Sequence, residues 1–323
     1  MCGAVSAPVP INFCKPLPAV RDYRPFKATF MSQNLKFILI RHHLSQANIA
    51  KELTASRAFY RDRDDAKIEL YGSAEALRRR ELFKAAMRAR YANAGPMRII
   101  HTPTTRTDRT AADFASVLQP GSFTIEADAA FGEKKFGDWN GLDDDARQNS
   151  DPLLFAAYMY NDMSPAEQKG TWHKLNRQFE GKLGKFWIAP PGGESEEMVQ
   201  QRAIARLREL ARETRDETIV VVAHSVTLRV TIGALEHINP HKIAYEPRPQ
   251  NSSVYVWSGD FAGGRFRGTG KEVFAGFPVL AEAAPALAPE GVPQTSASLS
   301  GKRRSWLSDL MRPAFPRPRT LAR

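Results

Sequence analysis

The chain is poor in cysteine, with only Cys2 and Cys14, both near one end. Two thiols so placed argue against a disulfide framework and against a structural zinc site. Long apolar runs are also missing. Nothing approaches the roughly 18 consecutive residues that a membrane-spanning helix needs. The opening stretch, MCGAVSAPVPINFCKPLPAV, has no charged segment leading into a compact apolar one, so it makes a poor secretory signal. These features together predict a cytoplasmic protein. Excess acid is lacking as well: the formal net charge is +11, which favours anionic partners. Much of that charge is local. Residues 301–323 hold seven basic side chains against one acid, Asp309. With 42% hydrophobic and 25% charged residues, the rest has the composition of a globular protein.

The 323 residues divide by composition. Residues 1–34 are Pro-rich and weakly patterned, and read as a loose extension in which Met31 is an alternative start. Residues 279–299 are rich in Ala, Pro and Ser, which predicts a disordered linker before the basic tail. The tail is expected to be solvated or to make weak contact with anionic lipid or nucleic acid. No internal repeat interrupts the middle.

Within that middle, short apolar runs end at polar, chemically capable residues. Phe37 to Ile40 have no polar alternation, as suits a strand covered on both faces. The run stops at Arg41-His42. Met97 to Ile100 is a second strand, followed by His101-Thr102-Pro103-Thr104-Thr105-Arg106. Thr218 to Ala223 is a third such run and ends at His224. Phe123 to Ile125 and Ser253 to Trp257 are weaker strands, the latter expected at a sheet edge. Helical patterns separate them: Ser73–Tyr91, with Ala76, Leu77, Leu82, Phe83, Ala86 and Met87 as its apolar face; Thr107–Leu118; Glu196–Thr214, capped by Ser195; and a helix to about Leu235. Ser45 to Thr54 has a possible start at Ser45, and residues 57–67 are dense in charge and loop-like. Residues 142–188 read as a mostly helical insertion that lids a pocket. Alternating strands and helices imply an α/β fold, a three-layer α/β/α sandwich with a mostly parallel sheet.

In such a sheet, ligands sit beyond the carboxyl ends of the strands. Arg41, His42, Arg106 and His224 then share one edge and form a concentrated anion site. Guanidinium forks bind phosphoryl oxygens two at a time. One histidine can attack phosphorus while the other steadies the transferring group. A leaving alkoxide also needs a proton, and Glu133, in the Gly-flanked loop 131–141, is the candidate acid. Trp139 reads as a packing anchor in the same loop. His101 reads as a strand-end spectator, and His173, His237 and His241 as surface or packing residues.

Arg41-His42-x-x-Ser45-x-x-Asn48 resembles the signature of the histidine phosphatase superfamily, also called phosphoglycerate-mutase-like. Later segments resemble its other motifs in order: Gly72-Ser73-Ala74-Glu75-Ala76; Thr102-Pro103-Thr104-Thr105-Arg106-Thr107-x-x-Thr110-Ala111; Glu133-x-x-Phe136-Gly137-x-Trp139-x-Gly141; Gly192-Gly193-Glu194-Ser195; and Val222-Ala223-His224. The similarity covers roughly residues 35–258, and its surroundings look nearest to a mutase-like phosphatase subgroup of plants, fungi and bacteria. The resemblance implies a phosphatase domain over residues 35–275, with flexible ends at 1–34 and 276–323. It implies that His42 becomes phosphohistidine, that Arg41, Arg106, His224 and Asn48 hold the phosphoryl group, and that Glu133 is acid and then base. Ser45 either touches the site or caps a helix. The resemblance further implies a small phosphorylated substrate, with no metal and no cofactor. A phosphoglycerate-type mutase and a weakly active phospho-ligand-binding member are the alternatives.

Two departures stand out. His43 and Ser225 occupy positions where the family usually has Gly. A side chain at a positive φ costs about 1 kcal/mol, so strain is expected at His43 if its backbone is left-handed.

Overall fold

A computed structural model describes residues 33–45, 48, 74–214 and 216–277. The expected N-terminal extension (apart from its last two residues), the loop at 57–67 and the linker and tail lie outside them. So do most of the segment from Ser45 to Thr54 and the Gly72-Ser73 start.

Six strands form one mixed sheet in the order β3-β2-β4-β1-β5-β6. They are β1 (Gln33–Arg41), β2 (Met97–His101), β3 (Phe123–Ala127), β4 (Thr218–Ala223), β5 (Val254–Ala262) and β6 (Arg265–Phe274). The first four strands run parallel to one another, β5 runs antiparallel to β1, and β6 runs antiparallel to β5. Eight α-helices are described: α1 (Ala74–Tyr91), α2 (Thr105–Ala115), α3 (Asp144–Ser150), α4 (Pro152–Met159), α5 (Pro165–Phe179), α6 (Glu196–Glu213), α7 (Ser225–Leu235) and α8 (Pro240–Ile243).

The absence of alternation in β1 and β4 has a direct packing cause. Leu35, Phe37 and Leu39 of β1 join Ile219 and Val221 of β4 on one face, against Ala203, Leu207 and Leu210 of α6 and Leu228 of α7. Ile38, Ile40, Val220 and Val222 point to the other face, against Phe83 and Met87 of α1 and Ala111 and Phe114 of α2. Successive strand side chains alternate between faces, so a strand covered on both must be apolar throughout. The expected three layers are therefore present.

Two expectations need correction. Leu77 and Leu82 of α1 are about half exposed, not on its apolar face. The buried row is Ala76, Arg79, Phe83, Met87 and Tyr91, which keeps the three-to-four spacing of one helix face. Residues 253–257 do not form an edge. Val254 to Trp257 begin β5, which is covered by β6, a strand the sequence pattern did not predict. Gly268 and Gly270 make β6 look like a turn, but they lie under the rings of Trp257 and Tyr255, where a side chain has no room. The hairpin between β5 and β6 turns on Gly263-Gly264, both with positive φ, as a two-residue hairpin requires.

The segment 142–188 is mostly helical, as expected, and builds its own core. Phe155, Tyr158, Leu175 and Leu183 pack with Trp139 of the preceding loop. Trp139 is buried and meets Tyr158 edge-on at 5.3 Å between ring centroids.

Candidate active site

Strand register brings the expected residues level. Val222 of β4 pairs with Ile40 on one side and with His101 on the other, and Arg41 pairs with Ala223. The next residues, His42, Thr102 and His224, therefore emerge together at the carboxyl edge. His42 N–H donates to the Ala223 carbonyl at 3.0 Å, extending the ladder by one bond.

His42 is buried, and its ring centroid lies 5.3 Å from that of His224. Its Nδ1 is 2.6 Å from the carbonyl oxygen of His43. A carbonyl only accepts, so Nδ1 carries the proton and Nε2 keeps its lone pair. Burial lowers the His42 pKa well below the usual histidine value, and the charges of Arg106 and Arg41 and the His224 ring add to that effect.

Arg106 stands in the first turn of α2. Its Nη2 and Nε lie 3.0 and 3.3 Å from His224 Nδ1. A guanidinium cannot accept, so His224 Nδ1 holds a lone pair and Nε2–H donates to Thr102 Oγ1 at 2.9 Å. Burial first, then Arg106, lowers the His224 pKa to about 3. Thr102, Thr104 and Thr107 form a buried hydroxyl cluster beneath this pair. Arg41 donates from Nη1 to the Pro249 carbonyl at 2.6 Å.

Glu133 reaches the same edge from the loop after β3. One carboxylate oxygen accepts from the backbone N–H of Lys134 at 3.0 Å, and the other from that of Val226, in the first turn of α7, at 3.4 Å. Its charge acts on His224. The loop is clamped by a residue the sequence did not single out. Arg202 donates to the carbonyls of Ala130, Gly132 and Glu133 and pairs with Glu194. Glu194 in turn accepts from Lys135 N–H at 3.0 Å. Gly137 has a φ of 50°, and a side chain there would strike the backbone at Pro191 to Gly193. The Gly192-Gly193-Glu194 motif is thus a brace for the acid loop.

Ser45 and Asn48 bond to each other and make no hydrogen bond to the charged side chains of the quartet. Ser45 is fully buried, and its N–H and Oγ–H both donate to Asn48 Oδ1. Asn251 Nδ2 donates to Asn48 Oδ1 at 3.1 Å and to the His42 carbonyl at 3.1 Å, linking Asn48 to the end of β1. Ser45 therefore meets Asn48 directly. His101 turns its Nδ1 to the Thr102 carbonyl, at the strand end.

The expected strain at His43 is absent. Non-glycine residues with positive φ among those described are Glu180, Asp216, His237 and Ser252, so both His43 and Ser225 have ordinary backbones.

Lys134 was legible only as a neighbour of Glu133. It is 1% exposed, its Nζ 4.7 Å above the Tyr158 ring and 3.4 Å from the Lys185 carbonyl. Burial lowers its pKa to about 7. Among the described residues no group of three or more His, Cys, Asp or Glu side chains is arranged to hold a metal ion. No described helix is long and apolar enough to cross a membrane.

The family model for the histidine phosphatase superfamily (branch 1) matches residues 37–173 and 160–269. No curated protein sequence matches. Among solved structures, a mycobacterial glucosyl-3-phosphoglycerate phosphatase superposes with a TM-score of 0.51 at 18% identity, covering 76% of this chain and 99% of the other. A second mycobacterial hydrolase gives 0.50 at 18% identity, over 76% and 100%. A putative α-ribazole-5′-phosphate phosphatase from Escherichia coli gives 0.48 at 17% identity, over 75% and 96%. At 18% identity the likeness to the first two is one of fold.

Proposed function

The chain belongs to the histidine phosphatase superfamily (branch 1), and from that premise we propose that it hydrolyses a small phosphomonoester through a phosphohistidine on His42. The observation that carries the proposal is the His42 ring. Its Nδ1–H is held by the His43 carbonyl, and Nε2 keeps its lone pair beside His224 and Arg106.

In the first step His42 Nε2 forms a bond to phosphorus as the bond to the leaving oxygen breaks, and Glu133 gives that oxygen a proton. In the second, Glu133 takes a proton from water, the water oxygen bonds to phosphorus, and the N–P bond breaks. Arg41, Arg106 and His224 stabilise the charge on the transferring oxygens. An anion among them offers Arg106 a charged acceptor in place of neutral His224 Nδ1. Neither metal nor cofactor enters this scheme. Asn48, tied to the His42 carbonyl through Asn251, is assigned a supporting hydrogen bond to the phosphoryl group, with Ser45 holding its carboxamide. The insertion is assigned the lid, since Lys134 joins it to the acid loop.

Hydrolysis is favoured over phosphoryl transfer between two positions of one substrate. Mutases of this family hold a second phosphate on a pair of adjacent arginines in the insertion, whereas here its basic residues are the separated Arg147, Lys169, Lys174, Arg177, Lys182 and Lys185, of which Arg147 is engaged with Asp144 and the Trp139 carbonyl and Lys185 with Asp162. The test is turnover of p-nitrophenyl phosphate and of a panel of phosphorylated metabolites by wild type and His42→Ala. Turnover by wild type alone, with acid-labile phosphate trapped on the protein, is expected. Retained binding of phospho-ligands without turnover would instead make the chain a binding module. Isomerisation of 3-phosphoglycerate primed with 2,3-bisphosphoglycerate would make it a mutase.

A further inference from the structure

His43 takes the place of the small residue expected beside the nucleophile, and it is almost completely buried. Its ring is held on three sides. Nε2 lies 3.2 Å from Asp113 Oδ2 on α2. Nδ1 lies 2.7 Å from Ser252 Oγ. The ring also meets Phe83 of α1 edge-on, 4.8 Å between centroids. Asp113 is itself gripped by both prongs of Arg80, at 2.6 and 2.9 Å. Nε2 faces the Asp113 carboxylate at ion-pair distance without an aligned hydrogen bond, and a carboxylate favours the proton on the nitrogen that faces it, so the lone pair on Nδ1 takes the Ser252 hydroxyl hydrogen. Turning the ring over would break the Ser252 hydrogen bond and take the ring N–H away from Asp113 inside a buried site.

The main chain of His43 is held as firmly. Its N–H donates to Thr110 Oγ1 at 2.9 Å, and that hydroxyl donates to the Arg106 carbonyl at 2.7 Å. Its carbonyl accepts the Nδ1–H of His42. One residue therefore connects the ring of His42 to the helix that carries Arg106.

We propose that His43, Asp113 and Arg80 form a positioning relay that fixes the tautomer and ring angle of His42 relative to Arg106. The proposal rests on the reading of His42 as the nucleophile, but its central readout does not depend on turnover. None of the three residues touches the reacting atoms. They act by holding the His43 carbonyl on His42 Nδ1, so that the lone pair stays on Nε2. A glycine at position 43 would leave that carbonyl to the flexible backbone alone.

The test compares wild type with His43→Phe, which keeps the ring and the Phe83 contact without the nitrogens, and with Asp113→Asn. The ¹⁵N shifts of the His42 ring nitrogens, assigned by difference from His42→Gln, report the tautomer in each protein. Wild type is expected to show a single Nδ1–H form. His43→Phe is expected to mix the two forms and to lower kcat on p-nitrophenyl phosphate by about ten- to a hundredfold, with KM nearly unchanged, as misplacement of a reacting group does. His43→Gln, whose amide N–H can reach Asp113, is expected to recover part of that loss. If His43→Phe does not fold, Asp113→Asn carries the measurement. Folded variants with the wild-type His42 tautomer overturn the relay, including any that lose activity through a lower Tm. If wild type turns nothing over, the tautomer comparison still decides the relay, and the failure belongs to the phosphatase proposal.

Discussion

At the residue scale, the candidate site is two neutral histidines among guanidiniums. Burial is the largest cause of the lowered pKa at both His42 and His224, and Arg106 is the next. The sign of the consequence is set by the chemistry. A nucleophilic imidazole must be unprotonated, and a lowered pKa keeps it so into acid. The kcat/KM of the free enzyme on p-nitrophenyl phosphate should therefore hold as pH falls through 6.5, and the acid limb should report a group well below that value. A limb at the ordinary histidine pKa would mean that His42 is solvated and its pocket open to water. Arg41, His42 and His224 were legible because strand ends are positioned by register, and Arg106 because the first turn of α2 follows closely on the end of β2. What supports them was not. Arg202, Asn251 and the Asp113–Arg80 pair act from helices and loops distant in sequence, with no periodicity to mark them. The strain expected at His43 was a backbone argument. The residue is instead accommodated by side-chain partners on α2 and beside β5.

At the element scale, the legible strands and helices were those with one dominant cause. The β4 run needs only two covered faces, and its ends were read correctly at Thr218 and Ala223. Ser195 capping α6 needs only a local oxygen, and it does accept from Met198 N–H. β6 failed because its glycines serve a neighbouring ring rather than a turn. The contact between α6 and α7 was equally hidden. Glu196, at the start of α6, and Arg229, in the middle of α7, form a buried ion pair at 2.6 Å. Taking two charges out of water costs nearly as much as their attraction returns, so the pair itself adds little. Breaking it leaves one buried charge without its partner. Glu196→Leu or Arg229→Met alone should each lower stability by about 3–5 kcal/mol, while the double variant should lie closer to wild type than either single one. Denaturant melts of the four proteins give the comparison. Additive losses in the double variant would show that the two charges do not depend on each other.

For the whole molecule, the three-layer core and the insertion's separate core meet at the acid loop, and Lys134 is where they do so. An ammonium rarely sits at 1% exposure, and here the ring faces of Tyr158 and Phe136 and the Lys185 carbonyl surround it. Glu196 favours its charge, but desolvation dominates, and Lys185, Arg229 and Arg248 add to it, so its pKa falls from 10.5 to about 7. The stability consequence follows from proton counting. Between about pH 7 and 10.5 the unfolded chain holds a proton on this amine that the folded chain has released. Stability therefore rises with pH across that window, and below it both states are protonated, so this residue contributes no slope. Thermal melts of wild type should show Tm climbing from pH 7 to 9. Lys134→Met, which keeps the length of the stem and removes the amine, should flatten that climb and raise Tm at pH 7. The measurement stops below the range where Tyr91 and Tyr255 matter, since burial raises the pKa of both. An identical slope in wild type and variant would mean that Lys134 keeps its charge in the folded protein. The junction between acid loop and insertion would then be held by a cation over two rings, whatever the pH.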